Sequence, residues 1–465
     1  MLKGEKSNSV ISSFLESKLE GNESNDRKLD NYFSDDCVMF RVPKILRQVD
    51  EEAYTPRMVS IGPFHYGDPS FKEMQSHKEN YYFQKFLART ANDKKRNEKL
   101  SEYEGAIKGV ILSKYEGAIT SDLNHDKFTE VILIDSCFII ELLALLWENI
   151  GTRKKDSILK TPLLFNTIKL DLLMLENQIP FSFLKDLYDK FWKPANGPTF
   201  LELAKNFFGI SSNSLRENDI KHFTDLYRMS FLPRDWVTRA RIDIEQYDVG
   251  RVQHVCSATK LDKAGVDFCQ APEEDTLLMI TVPKQEWWRK GIPCLSSLKL
   301  QVPQFTIGDG TEYIMRNVMA LEQCKPDPDY KFPICDYIYL MNDLIDSEKD
   351  VDLLVEKKVI KHFLGSNKEV ADIINKLGKN ISLANNKRFI YNSQCNKLNQ
   401  FNEYWLNRSK ATFKRIYFKD VWTGSSTVVG VFVLIFTIVS SFCSIWSFVK
   451  DNFGSANQSI LSFSY

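Results

Sequence analysis

The sequence predicts a mainly α fold: one large helical domain with a minor β element, followed by a C-terminal transmembrane helix. Apolar residues recur at helical spacing over most of the chain, residues 132–147 are apolar nearly all round, and residues 421–449 contain no charge. With 43% hydrophobic and 26% charged residues, the 465-residue chain has ordinary globular composition. This composition excludes collagen-like, small disulfide-stapled and wholly disordered proteins.

The charges of the chain are balanced. Lys and Arg together number 61, as do Asp and Glu, so the net charge is zero. No overall field favours nucleic acid, acidic substrates or anionic lipid, and any charge-based function must be local. The N-terminal residues contain no apolar run long enough for a secretion signal. Nine cysteines without a Cys-x-x-Cys pair indicate reduced cytosolic thiols, and the odd count argues against the alternative of a disulfide framework.

The N-terminal part is predicted to consist of an arm and the start of a domain. Residues 1–34 are polar and charged and predict a flexible arm. A mainly helical globular domain is predicted over 35–383. Its first segments, 37–43 and 58–63, are short, β-branched and closed by proline, so we expect them to be extended, with a helical turn between them.

Helices are predicted after these extended segments. Ser70 and Glu73 have the spacing of a capping box, which predicts a helix from there to about residue 90. Residues 101–107 (SEYEGAI) are echoed at 113–119 (SKYEGAI). We interpret the echo as a short tandem duplication within a helix, because a solenoid repeat would need more copies and a longer period.

The rest of the domain is predicted to be helices around one small sheet. Residues 132–147 carry two carboxylates and are too short for a membrane span, so they predict a buried core helix. The pattern at 169–187 predicts a helix, a proline-terminated turn and a second helix. A flexible loop is predicted over 229–255, and β-branched clusters at 264–308 predict the sheet. The other predicted helices are 200–208, 220–227, 312–324, 334–345, 350–357 and 368–377.

Residues 421–449 predict a transmembrane helix. Their most apolar part, 428–449, would extend roughly 33 Å at about 1.5 Å per residue, which matches a hydrocarbon core of about 30 Å. A buried core helix is the alternative, but core helices rarely run so long without a charge. A basic juxtamembrane helix is predicted over 384–420, and residues 450–465 form a short tail.

The charges that flank this segment predict its orientation. Five Lys or Arg residues lie in the twenty positions before residue 421, whereas the tail carries Lys450 alone. The positive-inside rule therefore predicts a cytosolic N-terminal domain. A span this close to the end of the chain also suits post-translational insertion as a tail anchor. The sequence does not resolve plasma membrane from endomembrane.

Inspection of the sequence finds no catalytic signature. It contains no phosphate-binding P-loop, no G-x-S-x-G nucleophile elbow, no H-E-x-x-H zinc motif and no kinase loop. The six histidines never occur three or four residues apart, so a metal site would need ligands from distant segments. We expect no cofactor and no metal site.

Buried carboxylates are the remaining chemical candidates. Asp135 and Glu141 lie in one apolar helix, and Asp171 and Glu176 lie in another. We expect a structural ion-pair network, because burying a carboxylate is costly unless it is paired. The alternative, a glycosidase-like acid pair, needs two carboxyl groups roughly 5–10 Å apart beside a cleft. The arginines available in neighbouring segments are Arg41, Arg47, Arg57, Arg228 and Arg316.

Several segments together resemble the plant family known as domain of unknown function 247. The hallmark runs are VSIGPFH at 59–65 and LENQIP at 175–180, and further matching segments extend in the family's order from about 37 to 449. The family usually has a second histidine after the first run. Tyr66 stands there in this chain, which argues against a required His–His metal pair. The motif residues that the resemblance marks, with structural roles, are Arg41, Pro43, Gly62, Pro63, His65, Asp135, Glu141, Glu176, Asn177, Gln178, Pro180 and Glu322.

The resemblance implies a plant source, one helical domain, a C-terminal membrane helix and no established activity. Some members in grasses are implicated as self-incompatibility determinants. We therefore expect a membrane-anchored interaction or signalling protein, of a recognition type such as self-incompatibility, that is not an enzyme. Its expected partners are the lipid bilayer, through 421–449, and an unknown protein, with no nucleic acid. The alternative is a membrane-tethered hydrolase of unfamiliar type that uses the buried carboxylates and His65.

Overall fold

The chain forms two compact units in the computed structural model. The larger unit takes its described residues from 1–259, 268–283 and 299–396, and the smaller unit from 260–267, 284–298 and 397–465. The predicted arm, most of the loop predicted at 229–255 and much of the basic helix predicted at 384–420 lie outside the described residues. The structure describes residues 38–89, 96–115, 123–148, 156–211, 215–233, 254–272, 276–283, 298–324, 332–381, 389–403 and 421–461.

The described residues are mainly helical, with a minor β element, as predicted. Strands β1 (Val266–Gln270) and β2 (Leu298–Val302) pair with each other, and β3 (Phe305–Ile307) pairs in parallel with β4 (Ile360–His362). The helices are α1 Lys44–Arg47, α2 Lys72–His77, α3 Gln84–Arg89, α4 Arg96–Ala106, α5 His125–Glu148, α6 Ser157–Lys160, α7 Pro162–Asp171, α8 Phe181–Phe191, α9 Phe200–Phe208, α10 Phe223–Ser230, α11 Ala258–Ala264, α12 Thr311–Cys324, α13 Pro333–Leu344, α14 Glu348–Glu356, α15 Asn367–Leu377, α16 Asn392–Glu403 and α17 Val421–Leu461.

Helix α5 forms the centre of the hydrophobic core of the larger unit. Of its 24 residues, 16 are buried, which confirms the core helix predicted at 132–147. It packs against α3, α8, α9 and the π-helical segment Lys78–Phe83. Because neighbours cover it on several sides, apolar residues occur all round its surface rather than in one stripe.

The helix predicted from Ser70 begins differently from the prediction. Asp68 is the N-cap residue, and its Oδ1 accepts the N–H of Ser70 at 2.9 Å. Pro69 occupies the first helical position, where a missing N–H costs nothing. Ser70 therefore lies inside the first turn, and the predicted capping box is wrong. The element continues through α2, the π-helical segment and α3.

The two copies of the echoed sequence adopt different structures. Tyr103 lies in α4, whereas Tyr115 follows the 3₁₀ turn Leu112–Lys114 and forms a parallel bridge with Met39. A duplication within one helix is therefore wrong for the start of the second copy, and residues 116–122 lie outside the described part. Both tyrosines are buried. Aromatic burial is thus common to two copies whose backbones differ.

The small sheet predicted at 264–308 is present as β1 and β2, and Thr281 forms an isolated antiparallel bridge with Gln301 beside β2. The β3–β4 pair extends the β content beyond the prediction, because β4 lies far along the chain. Phe305 pairs with Ile360 and Ile307 with His362. A strand of three residues is too short to show a period, so the sequence around β4 carries no strand signal.

Helix α17 belongs to the smaller unit and is 41 residues long. Its segment Val428–Ser447 has a mean hydropathy of 2.5, and none of that segment is buried. Phe436 and Phe442, for example, are each 72% exposed. Within the described residues, this is the one helix long and apolar enough to cross a membrane.

Candidate functional site

The turn between α7 and α8, residues 172–180, brings most of the polar motif residues together. Helix α7 ends at Asp171, and Pro180 is the N-cap residue of α8. Glu176, Asn177 and Gln178 are buried in this turn. Buried polar groups need hydrogen-bond partners, and these three side chains find them in backbone groups and in the side chains of Arg47 and His65.

Asn177 joins the turn to the extended segment 58–63. Its Oδ1 accepts the N–H of Ile61 at 2.5 Å, and its Nδ2 donates to the carbonyl oxygen of Val59 at 2.9 Å. The same Nδ2 also donates to the carbonyl oxygen of Asp171 at 3.0 Å. One amide side chain therefore satisfies both a donor and an acceptor of the extended backbone, as a neighbouring β-strand would.

Gln178 closes the turn on itself and ties it to α10. Its Nε2 donates to the carbonyl oxygens of Leu172 and Met174, each at 2.7 Å. Its Oε1 accepts the N–H of Phe223, the first residue of α10, at 2.9 Å. The backbone groups freed at the proline turn are thus paired by the side chain of Gln178.

Asp171 binds the extended segment from the end of α7. Its carboxylate accepts the N–H groups of Arg57, Met58 and Val59 at 3.0, 2.7 and 2.9 Å. Burial raises the pKa of Asp171 to about 6, although these three donors favour the ionised form. A carboxylate held by three backbone N–H groups fixes the path of the chain at this point.

Asp135 and Gly62 form the contact between α5 and the IGPFH run. Oδ2 of Asp135 accepts the N–H of Gly62 at 2.8 Å, and Lys78 donates to its Oδ1 and to the carbonyl oxygen of Ser60. Burial raises the pKa of Asp135 despite the ammonium group of Lys78. Gly62 has φ +72°, and a Cβ there would lie 3.1 Å from the carbonyl oxygen of Gln178. Both the conformation and the space therefore favour glycine.

Glu176 lies where the buried groups approach the surface. It accepts the N–H of Val42 at 2.6 Å, and Nη2 of Arg47 and Nε2 of His65 lie 2.5 and 3.2 Å from its Oε2. Burial raises the pKa of Glu176, but the His65 contact, the charge of Arg47 and the Val42 N–H outweigh it, so the pKa is lower than usual. The carboxylate is therefore ionised at neutral pH, in contact with the arginine that the sequence offered it.

The remaining motif residues lie at the edge of this arrangement or outside it. Arg41 and Pro43 are exposed, and the guanidinium of Arg41 lies 4.6 Å from the ring centroid of Phe64. Pro63, beside Gly62, is buried. Pro43 precedes α1, and its carbonyl oxygen accepts the N–H groups of Leu46 and Arg47.

Two motif carboxylates have separate partners. Glu141 accepts Nε of Arg89 at 2.9 and 2.8 Å, and the same guanidinium binds Glu148. Burial raises the pKa of Glu141. Glu322, on α12, accepts the N–H groups of Ile334 and Cys335 at the start of α13, with Nη1 of Arg228 3.8 Å away. Burial raises the pKa of Glu322 to about 7.

Three residues that pair with the buried groups were not predicted from the sequence: Lys78, Arg89 and Asn317. Asn317 accepts the N–H of Leu175 and donates to the carbonyl oxygen of Ala53 at 2.8 Å. Lys78 lies four residues from both Met74 and Tyr82 in the predicted helix, and that spacing from two apolar residues was a usable signal that it faces the core. No comparable signal distinguishes Asn317 from other polar residues on a helix.

The polar side chains of this arrangement bind segments of the chain to one another. Asp135, Asp171 and Glu176 direct their oxygens at N–H groups or cations of the chain itself. A cavity bordered by Tyr227 and Phe305 is lined by none of the motif residues. Within the described residues, no three His, Cys, Asp or Glu side chains are grouped so that they could hold a metal ion.

Comparison with known proteins gives one family. The family model described as DUF247, plant protein of unknown function, matches residues 39–436. The UPF0481 protein At3g47200 of Arabidopsis thaliana is 27% identical over 452 residues, which cover 92% of this chain and 90% of the relative. The putative UPF0481 protein At3g02645 of the same plant is 31% identical over 154 residues, which cover 32% of this chain and 26% of that protein. No solved structure matches. Because the family model covers most of the chain, this protein belongs to the DUF247 family of plant proteins of unknown function.

Proposed function

We propose that this protein is a single-pass membrane protein whose cytosolic helical unit binds another protein in recognition or signalling. The observation that carries the proposal is the exposed apolar segment Val428–Ser447 of α17, which no described part of the chain covers. Exposing so many large apolar side chains to water is unfavourable, whereas a hydrocarbon core accommodates them. The basic residues at 408–419 favour a cytosolic position for the unit that precedes them.

Membrane anchoring is tested by alkaline carbonate extraction of the full chain. We expect the natural protein to stay in the pellet, and a variant with Ile435→Lys and Val439→Lys to move to the supernatant. Each lysine near the centre of a span costs about 2.5–3.5 kcal/mol. Asn452→Lys, beyond the apolar segment, is the matched control and should stay in the pellet. Retention of the double variant in the pellet would contradict the anchor.

The orientation is tested by Asn380, which stands in an Asn-x-Ser sequon on the turn after α15. Only sequons in the secretory lumen are glycosylated. We expect glycosidase treatment to leave the mobility of the natural protein unchanged. A version with a secretion signal fused to its N-terminus is the positive control and should carry glycan at Asn380. Glycan on Asn380 of the natural protein would reverse the orientation.

The exposed segment 41–48 supports the protein-binding part of the proposal. Ile45 is 60% exposed and follows the exposed basic residue Lys44, and Glu176 anchors the segment through Val42 and Arg47. A rigid backbone lowers the entropy lost on binding, and an apolar side chain beside basic ones suits an acidic protein surface with an apolar pocket.

Proximity labelling in the native tissue tests this surface. Ile45→Asp should remove the labelled partners that the natural protein gives, because it removes the apolar contact and places a negative charge beside the basic residues of the segment. Leu163→Asp, at a residue that is 79% exposed on α7, is the matched control and should leave the labelling pattern unchanged. The same loss with both variants, or with neither, would contradict a binding role for this segment.

The hydrolase alternative has no observation in its favour. Asp135, Glu141 and Glu176 each bind a cationic side chain, and Asp171 binds three backbone N–H groups. A catalytic acid pair would need carboxyl groups that face a cleft. The ties between segments account for these carboxylates without a reaction.

A further inference from the structure

A cavity of about 470 Å³ lies in the larger unit, away from the motif residues. Its size is within the range of about 300–1,000 Å³ that is typical of sites for drug-sized ligands. Tyr227 and Phe231 from the end of α10, Phe305 from β3 and Ile314 from α12 contribute its apolar walls. The cavity is thus built mainly on regular elements, which hold its shape.

The described residues that line this cavity carry no charge. None of the 13 described residues that line it is Asp, Glu, Lys or Arg, although 26% of the chain is charged and a random lining would contain about three. A charged ligand would lose its hydration here without gaining a counter-charge. The described part of the lining therefore offers a counter-charge to neither an anion nor a cation.

Some polar groups on the walls have no partner within the described residues, whereas Nε2 of Gln304 donates to the carbonyl oxygen of Lys358 and Oγ1 of Thr311 accepts the N–H of Gly308. The hydroxyl of Tyr227 and the side-chain amide of Gln270 make no hydrogen bond to any described group. Thr306 contributes its backbone groups to the walls. On either side of it, Phe305 donates its N–H to the carbonyl oxygen of Val359, and the carbonyl oxygen of Ile307 accepts the N–H of Phe363 across the parallel pair. In a parallel ladder the residue between two bonded ones directs its N–H and C=O away from the partner strand, so those groups of Thr306 point away from β4.

We propose that this cavity binds an uncharged, partly aromatic small molecule that carries both a hydrogen-bond donor and an acceptor. Its apolar part packs against the rings of Tyr227, Phe231 and Phe305. Its polar groups pair with Gln270 and the free backbone groups of Thr306. Small-molecule sites commonly combine apolar walls with a few polar groups that fix the orientation of the ligand.

The test is disulfide tethering on the full chain in non-ionic detergent. Thr306→Cys places a thiol on the exposed rim of the cavity, and Thr161→Cys, also exposed but outside it, is the matched control. The probes are aromatic disulfides of one size with a para methyl ester, carboxylate or trimethylammonium group. Mass spectrometry of peptides measures modification at each cysteine. Partition into detergent affects both positions equally, so it cancels in the comparison.

We expect the ester probe to modify Thr306→Cys at least about tenfold more than either charged probe, which corresponds to about 1.4 kcal/mol, and all three to modify Thr161→Cys equally. Ala271→Phe and Ile314→Trp each fill the cavity, and each should abolish the preference in the Thr306→Cys background. If one of the two variants does not fold, the other still tests the proposal. Equal modification by all probes, no modification of Thr306→Cys, or a preference that survives both filling variants would overturn the proposal.

Discussion

Replacing Asp135 with alanine should lower the free energy of unfolding of the larger unit by about 3–5 kcal/mol. The side chains of Asp135 and Lys78 are 1% and 2% exposed, so water cannot replace the missing partner. Lys78 would keep the carbonyl oxygen of Ser60, 2.7 Å away, as an acceptor, but its charge would be uncompensated. The N–H of Gly62 would also lose its acceptor, and such a stranded group contributes about 1–3 kcal/mol to the total.

Two comparisons isolate the cause of this loss. Glu130→Ala on the same helix removes a half-exposed carboxylate paired with Lys127, and it should cost less than about 0.5 kcal/mol. The double variant Lys78→Met, Asp135→Leu should be clearly more stable than Asp135→Ala. A buried ion pair replaced by apolar residues of similar size is often close to neutral, whereas a broken pair is not.

The assay is equilibrium urea unfolding of the full chain in non-ionic detergent, followed by tryptophan fluorescence and far-ultraviolet circular dichroism. Coincident transitions with both probes justify reading the midpoints as free energies. A loss for Asp135→Ala as small as that for Glu130→Ala would refute the burial argument. A double variant no more stable than Asp135→Ala would place the cost at the N–H of Gly62 instead of at Lys78.

Glu141→Ala should destabilise the chain by about 2–3 kcal/mol. This loss is at the low end for a buried pair because Arg89 keeps its ion pair with Glu148. Glu104→Ala, at an exposed residue, should be near neutral, and equal urea midpoints for the two variants would contradict the burial of Glu141. Gly62→Ala should cost about 1–2 kcal/mol more than Gly67→Ala in the same assay, because both have positive φ but a Cβ meets nothing within 4 Å at Gly67; equal losses would show that the contact with Gln178 relaxes freely. Burial raises the pKa of Asp336 to about 8, so the folded state keeps a proton that the unfolded state has lost, and the stabilisation present below pH 3.8 is lost as the pH rises to about 8. Asp336→Asn should remove about 1.4 kcal/mol per pH unit from the slope of stability between pH 5 and 7; an unchanged slope would place the titration elsewhere.

Local sequence patterns predict the helices that bury apolar residues. They predict less well which segments pair with one another. The helix at 200–208 was predicted with its observed bounds, and in the structure Thr199 and Glu202 form a capping box and Gly209 ends the helix at φ +71°. These signals are local. The β3–β4 pair joins segments more than fifty residues apart through three residues each, and nothing in a local pattern specifies such a pairing.

In the candidate site, too, some contacts were predictable from the sequence and others were not. Arg47 and Arg228 were available in the sequence as partners and do contact Glu176 and Glu322. Arg89 and Lys78 were overlooked, because a cation in a charged helix usually faces solvent and only its register against the apolar stripe shows otherwise. The buried position of Glu176 was predictable from its apolar surroundings. Its contact with His65 depends on how two distant segments meet, which one sequence does not reveal.

The buried motif side chains supply hydrogen-bond acceptors to backbone N–H groups, as a neighbouring β-strand would do. The segments around 42 and 57–62 form no regular helix or strand, and backbone in the interior must pair its N–H groups or leave them unpaired at a cost in free energy. Six of those N–H groups donate to the side chains of Asp135, Asp171, Glu176 and Asn177. A carboxylate accepts several donors at once and binds each more strongly than a neutral acceptor would, so few residues suffice. These side chains therefore hold buried backbone in place, and the binding role proposed for segment 41–48 depends on the position that Glu176 gives to Val42 and Arg47.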